Sequence, residues 1–217
     1  RVVLLSHLPK STGAKTVLAA VCGGPLERIE MHGTSTAELY FLKSGDAGNF
    51  MEYGSGGMFV INGANVQPSW QEKSIGIHQP VSMEIDHEMV VNGARRCLIL
   101  KKLQTAPRSR SSLSASGNSR YHVTASHSTP NQNTKGTLIS EFSVDEALRD
   151  FSKYGTIVDI SPVISRKLCF ALHFADVRSA IAAKQEMELS DSSIGGKYKD
   201  WSVWYGKDPT DVPVYKV

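Results

Sequence analysis

No apolar run in these 217 residues approaches the ~20 that a membrane-spanning helix needs, and no signal peptide is visible at the start. Cysteine is scarce. Cys22, Cys97 and Cys169 are odd in number and far apart, which excludes a disulfide framework and a CxxC metal half-site. Each lies in an apolar run and reads as a buried thiol in a reducing compartment. Enzyme signatures are missing as well. Gly195-Gly196-Lys197 lacks the upstream glycine and the following Ser or Thr of a phosphate-binding loop. Gly54-Ser55-Gly56-Gly57 follows a helical pattern and leads into a hairpin. His122 and His127 have no third ligand at metal-site spacing, and no nucleophile–base pair can be brought together from the pattern. The expectation is a protein that is not an enzyme, with no cofactor and no metal.

Net charge is only +3, but its distribution is uneven. Residues 94–142 carry a net +7, while 1–72, 73–93 and 143–217 sum to −1, −2 and −1. A local basic patch of this kind can meet phosphates on a chain that is nearly neutral overall. The patch surrounds Arg95-Arg96-Cys97-Leu98-Ile99-Leu100-Lys101-Lys102-Leu103, whose continuous apolar run reads as a strand buried within a sheet. Lys167-Leu168-Cys169-Phe170-Ala171-Leu172-His173-Phe174 alternates as a strand with one apolar face should. Between the two runs a helix begins at Ser143, with Asp145 and Glu146 in its first turn and Ala147, Leu148 and Phe151 facing inward. A strand over 156–164 follows it. A helix over 176–189 and a last strand over 201–205 complete the order strand, helix, strand, strand, helix, strand, which is the split βαβ arrangement.

The first 72 residues repeat that order. A strand over 2–8 precedes a helix capped by Ser11 or Thr12. Strands over 25–32 and 36–42 lead to a helix capped by Ser44. Phe59-Val60-Ile61 meets Asn62-Gly63, which suits a type I′ hairpin, and 66–70 closes the unit. Val3-Leu4-Leu5 matches Leu98-Ile99-Leu100, Gly24-Pro25 matches Gly155-Thr156, and Leu39-Tyr40-Phe41 matches Leu172-His173-Phe174. The repeat is one of whole domains. The expected division is a first domain at 1–72, a partly helical connector at 73–93, a second domain at 94–208 and a C-terminal extension at 209–217. Val81, Ile85 and Met89 give the connector an apolar side that packs on a neighbour. Residues 104–137 are rich in Ser, Thr, Asn and Pro, hold Arg108, Arg110 and Arg120, and read as a mobile insertion.

Phe142-Ser143-Val144-Asp145-Glu146-Ala147-Leu148-Arg149-Asp150-Phe151-Ser152-Lys153-Tyr154-Gly155, with the strand order on both sides of it, resembles the RNA recognition motif (RRM) family. Gly23-Gly24-Pro25-Leu26 and Gly93-Ala94-Arg95-Arg96 resemble fungal post-transcriptional regulators with several such domains. The resemblance implies an α+β fold class: two ferredoxin-like βαββαβ sandwiches, each a four-stranded antiparallel sheet backed by two helices. It also implies single-stranded RNA, mRNA in particular, as partner, read by aromatic rings on the two central strands. At those positions the first unit has Leu4, Thr36 and Glu38, and the second has Ile99, Cys169 and Ala171. None is aromatic, and each lost ring forfeits about 1–3 kcal/mol of stacking.

Two functions therefore stay open. In one, RNA is bound through Tyr40, His173, Trp204 and Tyr205 as stacking surfaces, with Arg95, Arg96, Lys101, Lys102, Arg166, Lys167 and Lys207 on its phosphates. In the other, the aliphatic sheet faces around Leu4 and Ile99 meet a protein partner. Either way the expectation is a monomer in the cytoplasm, the nucleus or both, with no membrane partner.

Overall fold

The structure, a computed structural model, describes residues 1–71, 81–103 and 143–214. The expected insertion at 104–137, with its three arginines, and the first part of the connector lie outside these residues. The first unit runs β1 (Val2–Leu5), α1 (Ala14–Ala20), β2 (Leu26–His32), β3 (Thr36–Phe41), α2 (Ser44–Ser55), a β4–β5 hairpin (Val60–Ile61, Ala64–Asn65) and β6 (Pro68–Trp70). After α3 (Met83–Val90), the second unit runs β7 (Cys97–Lys102), α4 (Val144–Phe151), β8 (Ile157–Pro162), β9 (Cys169–Phe174), α5 (Val177–Glu188), α6 (Ser193–Lys197) and β10 (Trp201–Tyr205). The sheets order as β2-β3-β1-β6 and β10-β7-β9-β8, with antiparallel pairing in both. Each has the strand order of a ferredoxin-like βαββαβ sandwich, so the chain carries two of them in tandem.

Alternation along the strands builds both cores. Val3 and Leu5, with Ala37, Leu39 and Phe41, point under the first sheet, where Phe50 of α2 meets Phe41 and Phe59 at 5.5 and 5.0 Å between ring centroids. Leu98, Leu100, Phe170, Leu172 and Phe174 do the same under the second sheet, where Phe151, Tyr198 and Trp201 close the core. The repeat extends to backbone detail. Gly24 and Gly155 sit at φ +157° and +155°, and the following strands both shift register from the second residue after the glycine, at Leu26/Arg28 and Ile157/Asp159.

Several local expectations are corrected. Gly13, not Ser11 or Thr12, precedes α1, because Thr12 is buried and its hydroxyl accepts from Asn62 instead. Ser44 is the first helical residue of α2 and caps nothing. Ser143 does cap α4, accepting from the Glu146 amide, but Leu148 is 43% exposed because it lies about 100° around the helix from Ala147. The short helix α6, capped by Ser192, was not legible in Gly195-Gly196-Lys197.

The units dock closely, and both irregular strand positions face the seam. Glu27, at the β2 shift, is buried between Arg1 and Arg178, each 2.7 Å away. Val158, at the β8 shift, packs on the first core. The Ile29 amide donates to the Ala175 carbonyl, and Lys15 of α1 reaches Asp159 of β8 at 2.8 Å. The expected packing of the connector is also seen: Met89, with Val81 and Ile85, lies against Val177 and Ile181 of α5. Beyond β10 the chain returns to the first unit. Asp208 accepts two hydrogen bonds from Arg96, and the Thr210 hydroxyl donates to the Gly24 carbonyl.

Candidate nucleic-acid interface

Each sheet has one face on its helices and one away from them, and the strand registers set the outer faces in rows. On the first sheet one row is Ser69, Leu4, Glu38 and Glu30, and the next is Gln71, Val2, Tyr40 and Arg28. On the second, the corresponding rows are Trp204, Ile99, Ala171 and Ser161, then Gly206, Cys97, His173 and Asp159, with Ser202, Lys101 and Cys169 on the other side. The two faces differ sharply in chemistry.

The first face is closed on itself. Tyr40 is only 8% exposed, because the Arg28 guanidinium lies 3.9 Å above its ring. Its hydroxyl donates to Glu38 at 2.6 Å, and Gln71 donates to the same carboxylate. Burial and the Glu38 hydrogen bond push the Tyr40 phenol up to about 12. Burial alone would raise Glu38, but the hydrogen bonds from Tyr40 and Gln71 and the nearby His32 outweigh it and hold the carboxyl below its ordinary range. Tyr40 is thus corrected as a stacking ring: it lies on the expected face, but a cation already covers it. Glu30, His32 and Glu38 bring their ligand atoms within 4.8 Å of one another. Glu38 is committed to Tyr40 and Gln71, and Glu30 to Arg28 at 2.8 Å, so this is a satisfied polar surface. Its carboxylates repel phosphate.

The second face is more open. Trp204 is 41% exposed at the outer strand, in one row with Ile99 and Ala171. Lys101 and Lys102 end β7, but only Lys101 belongs to the outer face; Lys102 alternates to the helix side, with its Nζ 5.9 Å from the Trp201 ring centre. The Lys102 amide donates to the Leu168 carbonyl, which brings Arg166 and Lys167 to the edge where Lys101 lies. Lys207 is exposed beyond the opposite end of β10. The basic residues expected as one cluster therefore divide, since the two ends of β7 are roughly 16 Å apart.

Arg96 is corrected outright. It is 1% exposed, and its guanidinium is bound by both oxygens of Asp208 at 2.7 and 2.9 Å and by the Phe174 carbonyl. No phosphate reaches it. The missed signal was Asp208, which reads from sequence as a surface carboxylate. Arg95 turns back onto the Met89 and Ala94 carbonyls. Tyr205 packs between the second core and α3, with Lys184 5.3 Å from its ring centre, so it is no free platform. His173 is half-buried, with Nε2 beside the Ser161 hydroxyl and Nδ1 buried without a partner. Burial lowers its pKa against the opposing pull of Asp159 and Asp208. Cys97 is buried and its thiol is pushed up to about 12, by burial first and then by Asp208, while Cys169 is raised by burial. Cys22 is only part-buried, so the expectation of three buried thiols holds for two.

No family model matches the chain. Sporulation-specific protein 2 of Saccharomyces cerevisiae is 34% identical over 226 residues, covering 98% of this chain and 55% of the relative. The chain thus spans about half the length of the curated relative it matches. Among solved structures, similar chains include the N-terminal three RNA binding domains of the yeast splicing factor Prp24, with 12% identity, TM-score 0.28, and 95% of this chain and 66% of that one covered. The first two RRM domains of yeast poly(U) binding protein Pub1 give 14%, 0.29, 95% and 100%. RNA recognition domains 1 and 2 of Sex-lethal from Drosophila melanogaster give 14%, 0.27, 94% and 99%.

Proposed function

We propose that this chain is a non-catalytic RNA-binding protein that holds single-stranded RNA on the outer face of its second RRM-fold unit. The observation that carries this reading is Trp204, an exposed ring in the row where the expected rings of β7 and β9 are replaced by Ile99 and Ala171. An indole there offers one base a stacking surface, and Lys101, Arg166 and Lys167 lie at the adjoining edge for phosphates. The first unit acts as a structural partner, since its sheet face is acidic and its one aromatic is already stacked. Arg96 and Asp208 anchor the chain after β10, from which Thr210 reaches Gly24 of the first unit.

In this reading the domains divide at 1–72, 73–93 and 94–208, with 209–217 as an extension that fastens them. The protein acts as a monomer on mRNA, in the cytoplasm or nucleus. That role is post-transcriptional, and the 34% identity to a protein named as sporulation-specific supports placing it in a fungal developmental programme.

The test is binding to a randomised single-stranded RNA pool at two salt concentrations. Sub-micromolar, salt-sensitive binding with an enriched motif is expected. Lys101→Glu with Arg166→Glu weakens binding to every sequence and flattens its salt dependence. Undiminished binding by that variant refutes the site, and no binding by the native chain refutes the function and leaves a protein-contact module.

A further inference from the structure

We infer that the outer face of α3 is a docking site for a basic amphipathic helix of a partner protein. α3 buries Ile85 and Met89 against α5. At 100° per residue, Met83, His87, Val90 and Val91 then share the opposite side. Met83, Val90 and Val91 are 83%, 74% and 63% exposed. A helix of eight residues that, with the Val91 that ends it, keeps three large apolar side chains in water on one stripe has a contact surface that no described residue covers. The stripe borders a shallow groove of about 780 Å³ that Gln185 of α5 bounds on the far side.

Charge identifies the occupant. Asp86 flanks the stripe on one side, and Glu84 with Glu88 flanks it on the other. Among the residues that line the groove the one basic group is His87, and Arg178, in the adjoining hollow beside α5, is already held by Glu27 and Asp176. RNA is repelled by this rim, and so is an anionic lipid surface. A second copy related by a two-fold axis would set one acidic rim against another. A cationic partner with an apolar stripe satisfies both features, through Lys or Arg on the flanking carboxylates and apolar anchors between Met83 and Val90. A helix suits the groove because α3 and α5 offer no free backbone edge for strand addition. The site is separate from the RNA face, so it stands whether or not that proposal holds.

The test is selection of displayed helical peptides on the 217-residue chain, followed by titration of one synthetic winner. Enriched peptides with apolar residues at i, i+3 or i+4 and i+7, flanked by Lys or Arg, are expected. Met83→Asp with Val90→Asp weakens the winner more than about tenfold, and Met83→Ser with Val90→Thr weakens it less while keeping the native melting profile. If the aspartate pair fails to fold, the milder pair decides. No enrichment, enrichment of acidic peptides, or a winner indifferent to both variants overturns the inference. So does a self-association of the chain that the variants abolish, which assigns the face to a second copy.

Discussion

Asp208→Ala is the most demanding stability test of this architecture. Asp208 and Arg96 are each 1% exposed, and the carboxylate accepts from Arg96 Nε at 2.9 Å, from Arg96 Nη2 at 2.7 Å, and from the Thr210 amide at 3.0 Å. Truncation leaves a guanidinium buried without its counter-charge and releases Thr210 from its turn. Removing one partner of such a pair costs about 3–5 kcal/mol. For a chain of this size that lowers the melting temperature by roughly 6–20 °C. The assay is urea and thermal unfolding, followed by circular dichroism. Arg96→Met combined with Asp208→Leu should recover most of the loss, since apolar replacement of a buried pair is close to neutral. A cost for Asp208→Ala below about 1 kcal/mol, or a double variant no better than the single one, refutes the claim that this pair anchors the chain after β10. Arg96→Met alone should lower stability without changing the salt slope of RNA binding, because no phosphate meets that guanidinium.

Other predictions follow from burial and backbone geometry. His173 has its pKa lowered by burial below the ordinary 6.5, so between the folded and unfolded values the unfolded chain binds more protons. Stability is therefore greatest above about pH 6.5 and falls as pH drops toward the folded value. His173→Asn should flatten that limb in unfolding curves recorded across pH, and an unchanged limb contradicts the assignment. Glu27 has a lowered pKa as well: burial raises it, but Arg178 and Arg1 outweigh that effect. Its contribution is present above the ordinary carboxylate range and lost as pH falls through the folded value, so Glu27→Gln should weaken the seam at neutral pH and remove that acid dependence. Gly155→Ala should cost about 1–3 kcal/mol in urea unfolding, because at φ +155° its new methyl meets the Ser179 side chain. A neutral result contradicts that packing.

Much of the fold was legible in the sequence because its signals are local. The alternation in β9, the Ser143 cap with Glu146 three residues on, and the Asn62-Gly63 hairpin each specify their own structure, and the internal repeat fixed the order of strands. Asn62 and Gly63 adopt φ +49° and +79°, as the turn demands. The site was less legible because it depends on partners far away in sequence. Arg96 reads as one of a basic pair until Asp208, 112 residues later, neutralises it. Tyr40 reads as an open ring until the β2 register brings Arg28 opposite it. Alternation could place a residue on a face. It could not reveal what covers that face, and so Trp204 and Tyr205, adjacent in sequence, separated only in the fold into an exposed ring and a packed one.

The account rests most directly on the outer face of the second sheet. The decisive measurement is the affinity of Trp204→Ala for an RNA selected by the native chain, set beside Arg28→Ala, which uncovers the ring on the first sheet. The account predicts a loss of about 1–3 kcal/mol for Trp204→Ala, with Arg28→Ala leaving binding to that RNA unchanged. Unchanged affinity in Trp204→Ala, with the fold intact, contradicts it.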